Sequence, residues 1–212
     1  MKLNDLKKTS ASKSESVEKQ EKQTDKKQEV ARHMLAALAD LGFARLNLRE
    51  IAARSGTSLG IIHYYFKDKN HLLVYGLQLY KENFVHELTT MIDNAASLEE
   101  LLRTTVCTLA GVVEEDGHTH RLWYDLRTQA LFDPVFRPVA DEIEAHLITL
   151  CERFLNKVHA VSGLELTLDA ESLYLMIDGL IRYHMQQHLA GNEGAGDRMA
   201  QRLFEIFKRE SR

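Results

Sequence analysis

The sequence predicts an all-α fold, in which an N-terminal three-helix domain is joined by a long helix to a larger helical domain. Apolar residues recur every three or four positions along successive segments, which is the spacing of the buried face of a helix. Only two of the 212 residues are proline, so few positions interrupt a helix. The chain has 212 residues, of which 44% are hydrophobic, and this is enough to form one or two hydrophobic cores.

The N-terminal segment changes character near residue 28. The first 27 residues are rich in Lys, Ser, Glu and Gln and contain few large apolar side chains. Such a segment buries too little apolar surface to offset the entropy of ordering, so we expect a disordered polar tail over residues 1–27. Its alternating charges also allow the next helix to extend backwards into it. Residues 28–41 then carry an apolar stripe at helical spacing, and Gly42 is typical of a helix end.

Residues 47–72 predict two short helices, a tight turn between them and the start of a third helix. Asn47, Ser58 and Asp68 each stand where a side chain can cap the helix that follows. Gly56 supplies the left-handed backbone conformation that a sharp turn between two helices needs. A helix, a glycine turn and a short second helix form the helix-turn-helix pattern, whose second helix enters the major groove of DNA.

This segment resembles the DNA-binding domain of the TetR family of one-component transcription regulators. The positions that carry the resemblance are Leu48, Arg49, Glu50, Ile51, Ala52, Gly56, Gly60, His63, Tyr65, Phe66, Lys69 and Leu72. His63 departs from the family pattern, which usually has tyrosine there. The resemblance implies a repressor that binds a palindromic DNA operator as a dimer and is released by a small-molecule effector. It divides the chain into residues 28–75, which bind DNA, and residues 76–212, which bind the ligand and dimerise.

The charge distribution agrees with a regional contact to nucleic acid. The whole chain has a net charge of −4, but residues 1–75 carry 14 Lys and Arg against 9 Asp and Glu, a net of +5. The remaining residues carry 13 basic against 22 acidic side chains, a net of −9. Such asymmetry is the expected footprint of a basic surface that faces phosphate and an acidic body that faces away from it.

The residues expected to contact DNA lie around the second helix of the helix-turn-helix. Hydroxyl, lysine and arginine side chains can donate to phosphate oxygens, and Gly60 lets the backbone approach the duplex. We expect the contacts to come from Arg49, Thr57, Ser58, Leu59, Gly60, Ile61, His63, Tyr64 and Lys69. For His63 three roles stay open: a phosphate contact, a base contact, or a protonation that tunes affinity.

The second domain shows a further series of helical patterns. The predicted helices span residues 69–96, 98–113, 121–132, 134–161 and 169–189, followed by a last helix that begins at Gly196 and Asp197. Ser97, Asp133 and Asp169 stand at cap positions. Residues 114–120 contain acidic residues and a His-x-His spacing that suggest a metal site, but residues two apart do not share a helix face. We therefore expect a solvated loop there.

A ligand pocket is expected between the helices of this domain. Aromatic residues and polar groups on otherwise apolar faces can line it and orient a small, largely apolar effector. Our candidates are Trp123, Tyr124, Arg127, Phe154, Tyr174, Asp178 and His184. Core packing of the aromatic residues and an internal salt bridge of Asp178 or Arg127 are the structural alternatives. The stretch from Trp123 to Pro134 resembles TetR regulators that respond to choline, without fixing the ligand.

The catalytic and metal-binding motifs, the apolar segments and the cysteines indicate what kind of protein to expect. It contains no nucleophile elbow, no Gly-rich phosphate loop and no paired metal spacing, so we expect no enzyme, cofactor or metal site. It has no run of about 18 apolar residues and no apolar signal core, so we expect a cytoplasmic protein without a membrane span. Cys107 and Cys151 are expected to be buried free thiols, with a redox pair as the alternative.

The family resemblance also suggests an oligomer. It implies that the two C-terminal helices pair with the same helices of a second subunit to form a homodimer. The rival function from a different class is a helical adaptor that binds other proteins and has no DNA specificity of its own.

Overall fold

The computed structural model describes residues 22–37 and 47–210, which form helices and turns without any β-strand. Helix α1 covers residues 22–37 of the described part. It is followed by α2 (Leu48–Arg54), α3 (Leu59–Tyr65), α4 (Lys69–Asn94), α5 (Leu98–Glu114), α6 (Gly117–Phe132), a 3-10 helix (Pro134–Phe136), α7 (Arg137–Ser162), α8 (Ala170–Leu189) and α9 (Ala195–Glu210). This confirms the all-α fold. Among the described helices, none combines the length and the apolar composition that crossing a bilayer requires.

The chain divides into two compact units, Met1–Gly76 and Leu77–Arg212, and the division falls inside α4. In the first unit, Met34 of α1, Ile51 of α2 and Ile62 of α3 are fully buried. Gly76 of α4 lets α1 pack closely, because a Cβ atom there would lie 2.7 Å from Met34 Cε. The first unit is therefore a small helical bundle built around α1.

Helix α1 begins earlier than the sequence predicts. Residues 22–27, which we assigned to the polar tail, are helical, which agrees with the alternative that this helix extends backwards into that segment. The Lys27 ammonium lies 4.0 Å from the Tyr75 ring centroid and 5.5 Å from that of Phe66. This cation–π contact gives a polar segment a packing partner that its composition does not reveal. Residues 1–21, and Gly42 at the predicted end of the helix, lie outside the described residues.

Side-chain caps begin the helices where the sequence places them. Asn47 Oδ1 accepts a hydrogen bond from the Glu50 N–H at 2.9 Å, and Ser58 Oγ accepts one from the Ile61 N–H at 3.2 Å. Asp68, Ser97 and Asp169 act in the same way at the starts of α4, α5 and α8. Gly56 has a φ angle of 60° in the turn between α2 and α3, as expected. Local chemistry therefore sets these helix boundaries.

The second unit packs α5 against both α8 and α9, and α7 against α8. Its core is filled by apolar side chains from α4 to α9 and from the 3-10 helix. The largest fully buried side chains of this unit are Trp123, Phe136, Phe207, Leu77, Ile92 and Leu101. Cys151 of α7 is buried, but Cys107 of α5 is exposed, so the expectation that both thiols are buried is wrong for Cys107.

Two helix starts in this unit differ from the prediction. Residues 117–120 belong to α6 instead of a loop, and the buried Gly117 lies beside Met185 of α8, whose Cγ is 3.6 Å from where a Cβ atom of Gly117 would be. The helix predicted from Pro134 begins as a 3-10 turn. Pro138 has no N–H to bond the Pro134 carbonyl in α-helical fashion, and the Arg137 N–H bonds that carbonyl instead.

Gly196 of α9 lies against α5 at the closest approach of the two helices. Its N–H donates to Glu114 Oε1 at 3.0 Å. A Cβ atom there would lie 2.9 Å from the Ala110 carbonyl oxygen and 2.8 Å from Glu114 Cδ. Since the carbonyl belongs to the backbone of α5, it cannot move without shifting the helix. Gly111 of α5 has open space around its own Cβ position.

These two glycines give a matched test of the α5–α9 contact. We expect Gly196→Ala to lower the free energy of unfolding by about 1–3 kcal/mol, because the methyl group overpacks the contact. Gly111→Ala should raise it by up to about 1 kcal/mol, because alanine has the better helix propensity. Urea unfolding followed by circular dichroism measures both. A Gly196→Ala variant as stable as Gly111→Ala would contradict this packing.

Candidate functional site

Helix α3 presents one exposed face and anchors the other in the first unit. Gly60, Ile61, His63 and Tyr64 are exposed, whereas Ile62 is fully buried. Tyr64 is the most accessible large side chain of this helix, with 70% of its surface exposed. Alternation of this kind follows from helical spacing, since the buried residue fixes the helix while its neighbours point outward.

The predicted DNA contacts mostly lie on this surface. Arg49, Leu59 and His63 line one open groove together with Asn47 and Leu48. Arg49, Ser58, Gly60, Ile61, His63 and Tyr64 are exposed, and Thr57, Leu59 and Lys69 are half-buried. The structure therefore brings a guanidinium and an imidazole, those of Arg49 and His63, into one groove of α2 and α3.

All three hydroxyl groups among the predicted contacts, those of Ser58, Thr57 and Tyr64, are already engaged within the protein. Ser58 Oγ caps α3, as described above, and Thr57 Oγ1 donates to the Ser55 carbonyl at 3.5 Å. The Tyr64 hydroxyl accepts a hydrogen bond at 2.8 Å from Gln23 of α1. The sequence did not indicate a role for Gln23, because it lies in the segment interpreted as a disordered tail. Its contact links α1 to the exposed face of α3.

The second unit encloses a mostly apolar cavity of about 70 Å³. That is several times the roughly 10–15 Å³ that one water molecule needs, so the cavity has room for a small organic group. Helices α4 to α9 all contribute to its wall. The lining residues are Lys81, Phe84, Leu88, Ile92, Thr105, Leu109, His120, Trp123, Leu147, Leu150, Cys151, Phe154, Leu173, Tyr174, Ile177, Asp178, Ile181 and Phe207.

Four of the seven predicted pocket residues line this cavity: Trp123, Phe154, Tyr174 and Asp178. Within the described part of the chain, Tyr124, Arg127 and His184 do not line it. Tyr124 and Arg127 instead hold Asp178 from outside the cavity. The Tyr124 hydroxyl donates to Asp178 Oδ1 at 3.2 Å, and Arg127 Nη1 donates to Asp178 Oδ2 at 2.7 Å.

Arg127 also links this carboxylate to a second one on α7. Its Nε atom lies 2.9 Å from Glu144 Oε1, which accepts a hydrogen bond from the Tyr174 hydroxyl at 3.4 Å. The salt bridge that the sequence offered as an alternative role for Arg127 and Asp178 is therefore present. For Asp178 both roles coincide, because its side chain is ion-paired and also borders the cavity. His184 is buried on α8, where burial and the nearby Arg198 lower its pKa.

Lys81 was not among the residues predicted from the sequence, although it lines the cavity and is only 3% exposed. Burial lowers its pKa from 10.5 to about 7, although the Asp178 carboxylate opposes that change. Lys81 shares a face of α4 with Leu77, Phe84 and Leu88 at helical spacing. A lysine inside such an apolar stripe is the signal that could have identified it.

His120 is the partner of Lys81 and was also missed, since it was placed in a solvated loop. It is buried, whereas His118 is exposed, so the two histidines do not face a common site. His120 Nε2 lies 3.4 Å from Lys81 Nζ, and His120 Nδ1 lies 3.3 Å from the Tyr80 hydroxyl. Burial and the neighbouring Lys81 hold the pKa of His120 well below 6.5. The lowered pKa keeps His120 neutral, and a charged Lys81, which can only donate, then places the imidazole proton on Nδ1.

The described residues contain no group of three or more His, Cys, Asp or Glu side chains that could hold a metal ion. The polar end of the cavity is thus made of an amine, an imidazole and an ion-paired carboxylate, while its walls are aliphatic and aromatic. Such a surface suits binding of an organic molecule by shape and by a few polar contacts.

Comparison with known proteins points to one family. Residues 35–75 match the model of the bacterial regulatory proteins of the TetR family. A relative from Cronobacter sakazakii, the HTH-type transcriptional regulator BetI, is 29% identical over 157 residues, which cover 69% of this chain and 72% of that protein.

Solved structures share the fold at low sequence identity. A transcriptional regulator from Saccharomonospora viridis in complex with choline has a TM-score of 0.70 at 18% identity, covering 87% of this chain and 96% of the other. FadR from Bacillus subtilis in complex with stearoyl-CoA has a TM-score of 0.69 at 17% identity, covering 84% and 95%. These two proteins bind very different ligands.

The buried Lys81 gives a stability prediction with a defined sign. Because its pKa is lower in the folded protein than in the unfolded chain, charging it costs stability. This cost is absent above pH 10.5, grows as the pH falls towards 7, and is complete below 7. We expect Lys81→Met to stabilise the protein by about a few kcal/mol at pH 6.5, and by less at pH 9.5.

Urea unfolding at the two pH values measures this difference. The matched control is Lys208→Met, which removes an exposed lysine of α9 and should change stability little at either pH. A Lys81→Met gain that is absent at pH 6.5, or that grows with pH, would show that the amine is not held in an apolar site.

Proposed function

The chain belongs to the TetR family of bacterial regulatory proteins, and we propose that it represses transcription. In this proposal it binds a palindromic operator as a homodimer, and a small-molecule effector releases it from the DNA. The proposal places the DNA contacts on the exposed surface of α2 and α3 and the effector in the cavity of the second unit. A protein with this role acts in the cytoplasm, where its DNA is.

Helix α4 carries this proposal. It begins at Lys69, just after the helix-turn-helix, and runs without interruption to Asn94. Later turns of the same helix supply Lys81, Phe84, Leu88 and Ile92 to the cavity wall. A ligand that displaces these side chains therefore acts on the helix whose first turn borders the DNA-binding surface. Continuity of one helix between two sites is a physical basis for coupling them.

The coupling is described by two states of the dimer. Without effector, the two helix-turn-helix units have the spacing of successive major grooves, and bound effector favours a state with a different spacing. A typical coupling of about 1–3 kcal/mol changes the affinity for DNA by about fivefold to 150-fold. Operator affinity measured with and without a bound ligand tests this directly, and an unchanged affinity would exclude it.

The C-terminal helices support the dimer. Leu175 and Tyr183 of α8 are each 56% exposed, and Phe204 of α9 is 40% exposed. Large apolar side chains with that much exposure on two neighbouring helices are typical of an interface. A symmetric pairing of this face also gives two DNA-binding units related by a two-fold axis, which suits a palindromic operator.

The DNA-binding role is tested with the duplex upstream of the gene that encodes the chain. We expect a salt-dependent complex, and we expect His63→Ala to weaken it by about five- to tenfold without lowering the melting temperature. The physical reason is that His63 is exposed in the groove beside Arg49, so its loss removes a contact without disturbing the core. Fluorescence anisotropy measures the affinity.

His86→Ala is the control for that experiment, because His86 is an exposed histidine in the second unit. Its affinity for the duplex should equal that of the original chain. Equal affinities of His63→Ala and the original chain would remove His63 from the DNA contacts. Failure of the original chain to bind any duplex would favour the adaptor function over the regulator.

The dimer interface is tested by placing a charge on the exposed apolar face. We expect Leu175→Glu combined with Tyr183→Glu to produce monomers, because a buried carboxylate without a partner costs several kcal/mol. Sedimentation velocity distinguishes monomer from dimer. Leu131→Glu is the matched control, since Leu131 is 74% exposed on α6. Monomers produced by Leu131→Glu alone would place the interface elsewhere.

A further inference from the structure

The cavity wall contains hydrogen-bond donors that a ligand can use. Lys81 contributes an amine, and the Trp123 indole can only donate. Trp123 Nε1 and Thr105 Oγ1 are buried and have no hydrogen-bond partner among the described residues. Both side chains belong to the cavity wall. Because an unpaired buried donor costs about 1–3 kcal/mol, a ligand that brings acceptor atoms gains more here than one that brings donors.

Two aromatic rings of the cavity wall already face basic groups of the protein. Lys81 Nζ lies 5.2 Å from the ring centroids of both Phe84 and Trp123. The Arg127 guanidinium carbon lies 5.6 Å from the Trp123 ring centroid. Aromatic rings attract cations over their faces, and at Phe84 and Trp123 the protein's own basic side chains use that attraction.

The carboxylate at the cavity is also committed. Asp178 already accepts from Arg127 at 2.7 Å and from Tyr124 at 3.2 Å, so its charge is balanced within the protein. A quaternary ammonium ligand such as choline would therefore meet Lys81 without an available counter-charge. The Saccharomonospora viridis protein binds choline, but the residues around this cavity oppose the same choice.

We infer that the effector is a small organic carboxylate, whose anionic end accepts hydrogen bonds from Lys81 and whose apolar body packs among Leu88, Leu109 and Leu147. This inference rests on the proposed function, because it takes the cavity to be the effector site. His120, which also lines the cavity, holds the amine through its Nε2 atom. The amine is thus positioned before the ligand arrives, which reduces the entropy lost on binding.

Protonation of Lys81 links this binding to pH. Its pKa is about 7 in the ligand-free protein, and a bound carboxylate favours the charged amine. Above pH 7 binding must therefore take up a proton, so the affinity for a carboxylate falls as the pH rises. The groups that surround Lys81 are His120 and Arg127 of α6, Asp178 of α8, Glu142 and His146 of α7, and Tyr80 and Glu82 of α4. Because these groups can also titrate, the pH dependence of carboxylate affinity supports the inference only if it is lost when Lys81 is replaced.

Isothermal titration calorimetry with the full-length protein tests the ligand class through matched compounds. The panel contains phenylacetate, phenylacetamide and phenethylammonium, then hexanoate, hexanamide and hexylammonium, and finally choline. At pH 6.5 we expect each carboxylate to bind about ten- to a hundredfold more tightly than its amide, which is the factor that a charge-assisted hydrogen bond supplies. The ammonium ions and choline should bind more weakly than the amides. Between pH 7 and 9 the carboxylate affinity should fall and the amide affinity should not.

Two variants connect these results to one residue. Lys81→Met should remove both the preference for carboxylates and their pH dependence while keeping the apolar cavity wall. Lys208→Met should retain both, because that lysine is exposed on α9. Carboxylate affinity that is unchanged in Lys81→Met overturns the inference. Amides or ammonium ions that bind as tightly as the carboxylates at pH 6.5 overturn it as well, and so does a panel in which no carboxylate binds.

Operator DNA separates failure of this inference from failure of the proposed function. If choline or an amide releases the duplex and no carboxylate does, the proposed regulator function stands and the inference of a carboxylate effector is wrong. A chain that binds no duplex fails as a regulator, whereas carboxylate binding that depends on Lys81 in the calorimeter would still support the anion site.

Discussion

Helix α4 must bury apolar side chains in two separate cores, and the rest of the structure depends on this constraint. Its first turns bury Leu72 and Leu73 in the unit that contains the helix-turn-helix. Its later turns bury Leu77, Leu88 and Ile92 in the second unit. A helix held at both ends by packing cannot shift in one core without consequences along its length. This is the property that a regulator needs in the element between its two sites.

The same helix carries a large electrostatic cost in the second unit, the buried amine of Lys81. An amine that is 3% exposed beside Phe84 and Trp123 gives up most of its hydration, and its hydrogen bond to a neutral histidine compensates only in part. Proteins keep such a group where it has a function, because a methionine would pack in the same space at lower cost. Under the carboxylate inference, this function is discrimination by charge, while the aliphatic walls of the cavity supply most of the binding energy.

The two sites differ in how their geometry is specified. In the helix-turn-helix, caps and a glycine turn act within a few residues. The buried Ile62 orients α3, and the exposed face of this helix can therefore be predicted from the local sequence. In the cavity, Asp178 is positioned by Tyr124 and Arg127, which lie more than fifty residues earlier in the chain. Tyr124 and Arg127, which were expected to touch the ligand, instead hold Asp178, and Asp178 borders the cavity.

The sequence by itself determined the helices, most of their boundaries and the exposed face of α3, because these follow from interactions between residues three or four positions apart. Trp123, Phe154, Tyr174 and Asp178 were also found, as aromatic or charged residues on apolar helix faces. The sequence left open whether residues 22–27 extend α1 or belong to a polar tail, and it did not show that α6 begins at Gly117 or that Lys81 meets His120. Only the tertiary structure decided these points, and it brings together residues far apart in the chain, Lys27 with Tyr75, Gly117 with Met185 and Lys81 with His120. A local pattern contains no information about such contacts, because the free energy that fixes them comes from packing after the helices have met.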